Sequence, residues 1–334
     1  MRVLIVGAGV IGTVYGAHLG AAGHAVSVLR HPPRTGDVAA RGLAARDALT
    51  GRRAETRVHV VPDAAGSYDL VLAAVRSDQL APACAQLTAL GGAPAVLFFG
   101  NNPGGRSAIP ANVPGEIRLG FPGVGGVMRD GVAEYVRIKQ QPTALQAAGD
   151  PRLADMERTL RQREFSVQHV TDMDGWLAYH AAFVACVAAA LYQCGTDAAV
   201  LAADRQTLTL MCAAVTEAFT ALRKTGVTGL PRNLAILHSP VLKPVAVRYW
   251  ARTMRSPAGE LCFAAHARHA QPEMRALGGQ VTARLAHTPA TSHLFQLLQA
   301  PPGHAQSAAA ASADRPDPGS SAQGRESRYR VWDR

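Results

Sequence analysis

The segment from Met1 to Arg30, MRVLIVGAGVIGTVYGAHLGAAGHAVSVLR, predicts a strand, a glycine-rich turn, a helix and a second strand. Gly7, Gly9 and Gly12 form a G-x-G-x-x-G run directly after the apolar strand Val3–Val6. The first glycine allows the tight turn, the second lets the backbone approach a pyrophosphate, and the third lets helix and sheet pack closely. The segment therefore predicts a dinucleotide-binding βαβ unit.

The helix that follows the glycines is expected to bind the phosphates of the dinucleotide. Its first residues, Val10 and Ile11, carry backbone N–H groups without partners inside the helix, and the helix dipole favours negative charge there. A glycine-rich loop without a ligand is the alternative, but the flanking strands disfavour it. Because glycines and His18 interrupt the apolar residues, we expect neither a signal peptide nor a membrane span.

The end of the second strand indicates which dinucleotide binds. Proteins that prefer NAD carry Asp or Glu about 20 residues beyond the glycines, where it binds the ribose 2′-hydroxyl. Here the strand Ala25–Leu29 is followed by Arg30, with His31 and Arg34 close behind. An arginine can bind a 2′-phosphate through two charge-assisted hydrogen bonds, so the sequence favours NADP over NAD. The alternative is an arginine that only faces solvent.

Composition limits the class of protein. A length of 334 residues suggests two domains with a sizeable core. The net charge of +10 is scattered, without a basic run interleaved with aromatic residues, so we interpret it as attraction for an anionic nucleotide and substrate and predict no nucleic-acid partner. The five cysteines show no C-x-x-C spacing, which favours reduced thiols in the cytoplasm; they are Cys84, Cys186, Cys194, Cys212 and Cys262.

A metal site is not expected. His266 and His269 lie at i, i+3 on a predicted helix, a spacing that permits metal ligation. No third ligand is close to them in the sequence, so surface or packing roles are favoured for both histidines.

Alternating strands and helices continue through the first half of the chain. The patterns predict apolar strands at 69–75 and 95–99, a more alternating strand at 132–139, an amphipathic helix at 152–163 and a strand at 165–170. This order predicts an α/β fold with a Rossmann-like, doubly wound, mostly parallel sheet as the first domain, residues 1–171.

The composition and periodicity of the sequence change at Asp172. Alanine- and leucine-rich segments at helical period predict an all-helical second domain, residues 172–300, with breaks near 226–231 and 256–259. The remaining residues, 301–334, are rich in Pro, Ser, Gly and Ala with few apolar anchors, which predicts a disordered tail.

Short motifs distinguish between the dehydrogenase families that combine two such domains. Residues 1–298 resemble the ketopantoate reductase (2-dehydropantoate 2-reductase) family. The resemblance rests on GAGVIG at 7–12, DLVLAAVRSDQL at 69–80, the asparagine turn FFGNNPGG at 98–105, Trp176, and TPATSHLFQLL at 288–298. It implies reduction of a 2-keto acid-like carbonyl substrate by hydride transfer from NADPH.

The resemblance also assigns residues in the first domain. Arg76 stands where the family keeps a lysine near the cofactor phosphates, and Asn101 stands at the asparagine that the family uses at the nicotinamide and substrate end. An amide offers both a donor and an acceptor, so Asn101 could orient a carbonyl or a ribose hydroxyl. A turn without a functional role is the alternative, because Asn, Pro and Gly in this order favour a turn by themselves.

The catalytic lysine of the family is missing from this sequence. The family carries it in a W-x-K-L-x-x-N helix, and the corresponding stretch here is WLAYHAA at 176–182. The lysine position falls on Ala178 and the partner asparagine on Ala182. With Ala185 and Ala189 on the same helical stripe, the resemblance implies a wider and less polar interdomain cleft than in the family.

His180 and Tyr179 are the nearest groups able to supply the missing proton, and His180 is carried forward as a candidate catalytic residue. A two-residue step turns a helix by about 200°, so we expect His180 to point away from the face that carried the lysine. This geometry favours a packing histidine. Without a positioned acid, hydride transfer to a ketone would lose about 3 to 5 kcal/mol of barrier lowering.

The family binds its substrate through a glutamate in a segment that resembles S-M-x-x-D with T-E further on. The stretch TMRSPAGE at 253–260 keeps a hydroxyl, Met254 and Glu260 at a shorter spacing, which makes Glu260 the candidate. Counting back from Pro289 lands instead near His266 or His269. The alternative for Glu260 is a solvated carboxylate near the start of a helix.

Three functions follow from these residues. The first is an NADPH-dependent reductase of the ketopantoate reductase superfamily with altered catalytic groups and a different carbonyl substrate. The second is authentic 2-dehydropantoate reduction with a displaced acid, and the third is a non-catalytic NADP(H) sensor or partner-binding protein. The oligomeric state stays open, with a homodimer as one expectation because helical second domains of this kind often pair.

Overall fold

The computed structural model describes residues 1–30, 35–147, 149–285 and 292–299. Within these residues the strands are β1 (Arg2–Val6), β2 (Ala25–Leu29), β3 (Leu43–Asp47), β4 (Arg53–Thr56), β5 (His59–Val61), β6 (Leu70–Ala73), β7 (Ala95–Phe99), β8 (Glu116–Phe121), β9 (Val124–Arg129), β10 (Val132–Arg137), β11 (Thr143–Gln146) and β12 (Val167–Val170).

The same residues form the helices α1 (Val10–Gly20), α2 (Thr35–Arg41), α3 (Leu80–Leu87), α4 (Pro151–Gln162), α5 (Met173–Gln193), α6 (Ala198–Ala203), α7 (Arg205–Lys224), α8 (Arg232–Leu237), α9 (Lys243–Met254), α10 (Ala265–His269), α11 (Gln271–Leu285) and α12 (Ser292–Gln299). A π-helical turn, Gly259–Ala264, precedes α10.

The larger sheet has the order β12-β11-β8-β7-β6-β1-β2-β5. Every neighbouring pair in it is parallel except β8 with β11. Its central strands are buried on both faces, as Val3, Leu4 and Ile5 of β1 show with no exposed surface. The predicted doubly wound, mostly parallel α/β fold is confirmed. The strand order reverses between β1 and β6, and ligands of such sheets bind at that point, beyond the carboxyl ends of the strands.

A smaller sheet of four strands, in the order β4-β3-β10-β9, packs against α1. The strand predicted at 132–139 exists as β10, but its assignment to the main sheet was wrong. It pairs with β9 through a turn at Asp130 and Gly131, which both have positive φ, of 50° and 83°. Asp-Gly is typical of such two-residue hairpin turns. The alternating burial of β10 matches a sheet that buries one face more deeply than the other.

The other predicted elements of the first half lie close to their expected bounds, with the strand at 95–99 seen as β7 and the helix at 152–163 as α4. The last strand of the sheet, β12, ends at Val170, and α5 begins at Met173 after Asp172, whose carboxylate accepts a hydrogen bond of 2.9 Å from the Gly175 N–H. The described residues from α5 onward form helices joined by turns and loops. The predicted tail, 301–334, lies outside the described residues.

Helix α5 is the centre of this helical region. Its composition and length would allow it to cross a membrane, but 83% of its most apolar stretch is buried inside the fold. It packs against α7, α11 and α12, and a cluster of Ala, Leu, Val and Cys side chains fills the space between them. Burial on nearly all sides explains why α5 lacks a polar face.

Candidate active site

A cleft of about 640 Å³ lies at the carboxyl ends of β1, β2, β6, β7 and β8 and is closed on the other side by helices of the second half. The sheet contributes the loops that follow each strand. The cleft-lining residues of α5, α10, α11 and the π-helical turn are called the helical wall here. The cleft includes the point where the strand order reverses, which is where a nucleotide is expected.

The glycine loop at one end of the cleft needs its glycines for different steric reasons. Gly7 has φ +94°, and a Cβ there would lie 2.5 Å from the Ala74 carbonyl oxygen. A Cβ on Gly12 would overlap the Gly7 carbonyl oxygen, so this glycine permits the turn and α1 to pack together. Gly9 is different, because a Cβ there would meet no protein atom within 4 Å. The open space at Gly9 faces the cleft, where a ligand's phosphates can approach the backbone.

The start of α1 fits an anion. Gly9 is its N-cap and offers no side-chain oxygen, and the first turn contains no acidic residue. Val10 and Ile11, which open the helix, line the cleft together with Gly7 and Gly9. Uncapped N–H groups at the positive end of a helix dipole bind phosphate well. The cradle therefore fits the pyrophosphate of a dinucleotide.

Two arginines of the first domain line the cleft. Arg30 follows β2, and its N–H donates to the Val61 carbonyl at 2.8 Å, which fixes the backbone while the side chain stays exposed. Arg76 follows β6 and donates from Nε and Nη2 to the two carboxylate oxygens of Asp78, both at 2.9 Å. This bidentate pair raises the pKa of Arg76 and orients its guanidinium.

Asn101 lies at the end of β7 and contacts a residue 172 positions away in the chain. Its Nδ2 donates to Oε1 of Glu273 at 3.1 Å. A carboxylate can only accept hydrogen bonds, so this contact fixes the amide orientation and leaves Oδ1 of Asn101 as an acceptor. Asn101 therefore links the nucleotide-binding domain to α11, where Glu273 is buried with 2% of its surface exposed.

His266 is the titratable neighbour of Glu273 in the cleft. Its Nε2 lies 3.5 Å from Oε2 of Glu273, and its side chain keeps 41% of its surface exposed. The buried carboxylate orients the accessible imidazole beside it. The two residues form a pair able to deliver a proton into the cleft.

The possible metal pair His266 and His269 is not assembled as one. Nδ1 of His269 donates to the Ala265 carbonyl at 2.7 Å within α10. In the part of the chain that the structure describes, no group of three His, Cys, Asp or Glu side chains could hold a metal ion.

His180 lines the cleft. It points away from Ala178 as expected, but the His180 side of α5, and not the Ala178 side, is the one that faces the cleft. Its ring stacks on Trp176, with centroids 4.9 Å apart, and also packs on Phe121. Nε2 lies 3.0 Å from Oε1 of Gln141, and Nε2 of Gln141 donates to the Pro122 carbonyl. Burial lowers the pKa of His180 to about 3, so the ring is neutral and is poorly suited to protonate a substrate.

The helical register explains why His180 faces the cleft. Residues 180, 183, 184, 187, 188 and 191 of α5 follow the i, i+3, i+4 spacing and face the cleft. Ala178 and Ala182 face the other way, into a minute cavity beside Leu222 and Leu285. The two alanines therefore do not widen the cleft, and the expectation based on them was wrong. The cleft-facing side of α5 is nevertheless apolar apart from His180.

Glu260 was also assigned wrongly. It lies in the π-helical turn outside the cleft lining, its side chain is 49% exposed, and its carboxylate pairs with Arg268. The buried carboxylate of the site is Glu273 instead. The sequence places Glu273 in the first turn of a helix, after Pro272, a position typical of an exposed acid that interacts with the helix dipole, so nothing local signals its burial.

Comparison with known proteins supports the architecture. A sequence model of the ketopantoate reductase PanE/ApbA family matches residues 3–147. No curated protein matches the sequence. The family match spans the glycine loop, Arg30, Arg76 and Asn101, and ends before the helical region.

Solved structures with a similar fold extend the comparison to both regions. A PanE/ApbA family ketopantoate reductase from Ralstonia eutropha JMP134 is 22% identical, with 90% of this chain and 97% of that chain covered and a TM-score of 0.69. D-mandelate dehydrogenase with NADH and anilino(oxo)acetate is 14% identical, with 90% and 97% covered and a TM-score of 0.66. A dimeric ketopantoate reductase from Staphylococcus aureus is 16% identical, with 90% and 98% covered and a TM-score of 0.62. These identities show a shared fold.

Proposed function

We propose that this protein is a member of the ketopantoate reductase family and an NADP(H)-dependent oxidoreductase that reduces a small carbonyl substrate. The family match over residues 3–147 and the shared fold over both regions support membership. The observation that carries the proposal is one cleft that joins the glycine loop to the pair His266 and Glu273. A phosphate cradle and a proton donor facing one cavity are what hydride transfer to a carbonyl needs.

The first domain would hold the cofactor. Gly7, Gly9 and the start of α1 bind the pyrophosphate, Arg30 pairs with a 2′-phosphate, and Asn101 accepts a hydrogen bond from the nicotinamide end through Oδ1. When bound, the reduced nicotinamide supplies the hydride. The D-mandelate dehydrogenase structure contains NADH, so the preference for NADP rests on Arg30 alone.

The proton comes from the helical wall. His266 donates a proton to the substrate oxygen as negative charge develops there, and its exposed face takes up a new proton from solvent. Glu273 stabilises the imidazolium, and Asn101 Nδ2 holds the Glu273 carboxylate in position. This pair replaces the lysine that the family carries on the helix equivalent to α5.

Cofactor binding and turnover test the proposal. Calorimetry with the purified protein is expected to show tighter binding of NADPH than of NADH. Loss of nicotinamide absorbance is then followed with 2-keto acids, including ketopantoate, and with aldehydes and ketones. Absence of affinity for both dinucleotides would overturn the proposal. Turnover of ketopantoate at ordinary enzymatic rates would instead identify an authentic 2-dehydropantoate reductase.

A non-catalytic NADP(H) sensor is the second candidate. The observation in its favour is the cleft-facing side of α5, on which His180 is neutral and the remaining residues are apolar. Tight NADPH binding without turnover of any substrate would support it. A homodimer and a cytoplasmic location remain predictions, and the Staphylococcus aureus neighbour is described as dimeric.

A further inference from the structure

Three buried side-chain atoms at the helical end of the cleft have no hydrogen-bond partner. They are Oδ1 of Asn101, Oε2 of Glu273 and Nδ1 of His180. All three residues line the same cleft. A buried polar atom without a partner is costly and calls for an explanation, and a ligand is one.

Hydrogen-bond geometry shows that all three atoms are acceptors. The Glu273 carboxylate orients the Asn101 amide with its oxygen free. The Pro122 carbonyl accepts from Nε2 of Gln141, so Oε1 of Gln141 must accept from Nε2–H of His180. The proton of the neutral ring is thereby on Nε2, and Nδ1 keeps its lone pair. The nicotinamide end of the cofactor satisfies Oδ1 of Asn101 in the proposed function, so a substrate that complements the two remaining acceptors brings donors.

The charges around the cleft also favour a ligand that donates hydrogen bonds. The only lysine or arginine side chains that line it in the described residues are Arg30 and Arg76, both on the nucleotide-binding domain. Arg76 is close enough to Glu273 to feel its charge, but its guanidinium is bound to Asp78. The helical wall offers the buried Glu273 carboxylate, and its basic side chains in the described residues are histidines rather than lysine or arginine. Nε2 of His266 lies 3.5 Å from Oε2 of Glu273 without forming a hydrogen bond, and reduction of a substrate that is already protonated does not need His266 as an acid. A cation fits this wall better than a second anion.

We propose that this cleft also reduces iminium ions, the protonated C=N compounds, to amines. The inference goes beyond the proposed carbonyl reduction and rests on the same nicotinamide site. A hydride from the reduced nicotinamide dinucleotide forms the new C–H bond, and the C=N π electrons become the lone pair on nitrogen. The dinucleotide is oxidised, the iminium carbon is reduced, and no proton is consumed in the step.

Reduction of an iminium ion does not need the acid that the cleft-facing side of α5 lacks. A ketone needs an acid because its oxygen becomes negative, but an iminium ion arrives already protonated. Glu273 stabilises the positive charge of the bound ion, and its free Oε2 accepts the N–H. The absence of a lysine from the cleft-facing side of α5 is no handicap for such a substrate.

The rest of the wall selects an apolar substituent. Phe183, Val184, Val187 and Leu191 of α5 and Met274 of α11 line the cleft beside the acceptors. These side chains favour a cyclic or aromatic imine over a small hydrophilic one. The expected substrate class is a hydrophobic cyclic imine such as 3,4-dihydroisoquinoline.

Binding tests the recognition independently of turnover. With NADP⁺ present, the amine product 1,2,3,4-tetrahydroisoquinoline is titrated against its neutral isostere isochroman by calorimetry. The amine is expected to bind at least tenfold more tightly. In Glu273→Gln the preference should disappear while NADPH affinity is kept, which verifies the fold. Glu260→Gln, an exposed carboxylate outside the cleft, is the matched control and should retain the preference.

Turnover provides the second readout. NADPH oxidation is expected with 3,4-dihydroisoquinoline, and Glu273→Gln should lower its kcat/KM at least tenfold. Relative to a carbonyl substrate, His266→Gln should shift selectivity toward the imine at least tenfold, because only the carbonyl needs the proton. If a carbonyl is reduced and the imine is not, the inference is overturned while the proposed function stands. If neither dinucleotide binds, the proposed function is overturned, and the inference that rests on it is overturned as well. Equal binding of amine and isochroman also overturns the inference.

Discussion

The glycine loop and the helical wall face the same cleft but are built in opposite ways. The loop works through backbone N–H groups, and its steric requirements involve residues within a few positions plus the neighbouring strand end at Ala74. The wall works through side chains, and its central contact joins Asn101 to Glu273 across 172 positions of sequence. A backbone site is therefore encoded locally, whereas a side-chain site depends on how distant helices pack.

The largest effect is expected at Gly12. In Gly12→Ala the new methyl group overlaps the Gly7 carbonyl oxygen, a backbone atom that cannot move aside. We expect the variant to lose about 3 kcal/mol or more of unfolding free energy and its NADPH affinity with it. Urea unfolding and calorimetry measure the two losses.

Gly9→Ala is the matched control, because its methyl group meets no protein atom within 4 Å. Its stability should change by no more than about 1 kcal/mol. Its NADPH affinity should still fall, since the methyl group occupies the path of the pyrophosphate. Equal stability of both variants and the native protein would remove the steric distinction between the two glycines.

The helical wall is tested at His266. His266→Gln is expected to lower kcat for a carbonyl substrate by about 10² to 10⁴, the usual contribution of a positioned acid, with stability and NADPH affinity kept. His169→Gln is the matched control, because His169 forms a similar pair with Glu157 at 2.9 Å on the exposed side of β12. Equal effects of the two substitutions on kcat would show that His266 is not the proton donor.

Cofactor preference gives a smaller effect on the side of the glycine loop. Arg30→Ala is expected to weaken NADPH binding by about tenfold, through the loss of a charge-assisted pair, and to leave NADH binding unchanged. Titration calorimetry with both dinucleotides makes the measurement. Arg57→Ala, at another exposed arginine of the same domain, should change neither affinity. A uniform loss for both dinucleotides would mean that Arg30 does not read the 2′-phosphate.

The most gradual effect is an acid sensitivity shared by both regions. Burial and the charges of Arg137 and Arg163 lower the pKa of His18 from 6.5 to about 4, and burial lowers the pKa of His238 from 6.5 to about 4. Below pH 6.5 these histidines bind protons in the unfolded chain, whereas in the folded protein they stay neutral until about pH 4. The contribution of these two histidines to stability should therefore fall as the pH decreases from about 6.5 to 4, by about 1 kcal/mol per pH unit and histidine.

Urea unfolding as a function of pH measures this slope. His18→Gln should remove part of the slope from the first domain, where His18 contacts the Tyr135 hydroxyl, and His238→Gln should remove part from the second, where His238 accepts from Trp250. A slope that neither substitution changes would assign the acid sensitivity to other groups.

The sequence predicted the sheet well because its signals are local. The apolar run before the glycines predicts a central buried strand, and β7 at 95–99 was predicted with its observed bounds. The strand at 132–139 was placed in the wrong sheet, since pairing partners depend on the Asp130-Gly131 turn and on contacts with distant β3. Alternating hydrophobicity marks a strand but does not say which neighbour it pairs with.

In the candidate site, too, the residues with local sequence signals were predicted and those that depend on helix packing were not. Gly7, Gly9, Val10, Ile11, Arg30, Arg76 and Asn101 were identified from sequence and all line the cleft, whereas Gly12 supports the loop from behind it. On the helical side, the Ala178 side of α5 was expected to line the cleft in place of the His180 side, Glu260 was assigned to the site although it lies outside the cleft, and Glu273 was missed. A rotation of α5 by one residue, about 100°, is enough to exchange which side chains face a cleft, and sequence spacing cannot fix that rotation.

The sequence alone determined the nucleotide-binding unit, because glycine sterics, strand burial and the free N–H groups of a helix start are properties of neighbouring residues. Which polar side chains share the cleft depends on the packing of elements that are distant in the sequence. The tertiary structure buried Glu273 against Asn101, left His266 accessible beside it, and turned Ala178 away from the site. Those outcomes depend on the packing of α5, α10 and α11 onto the sheet, which is a balance of many weak contacts across the whole chain.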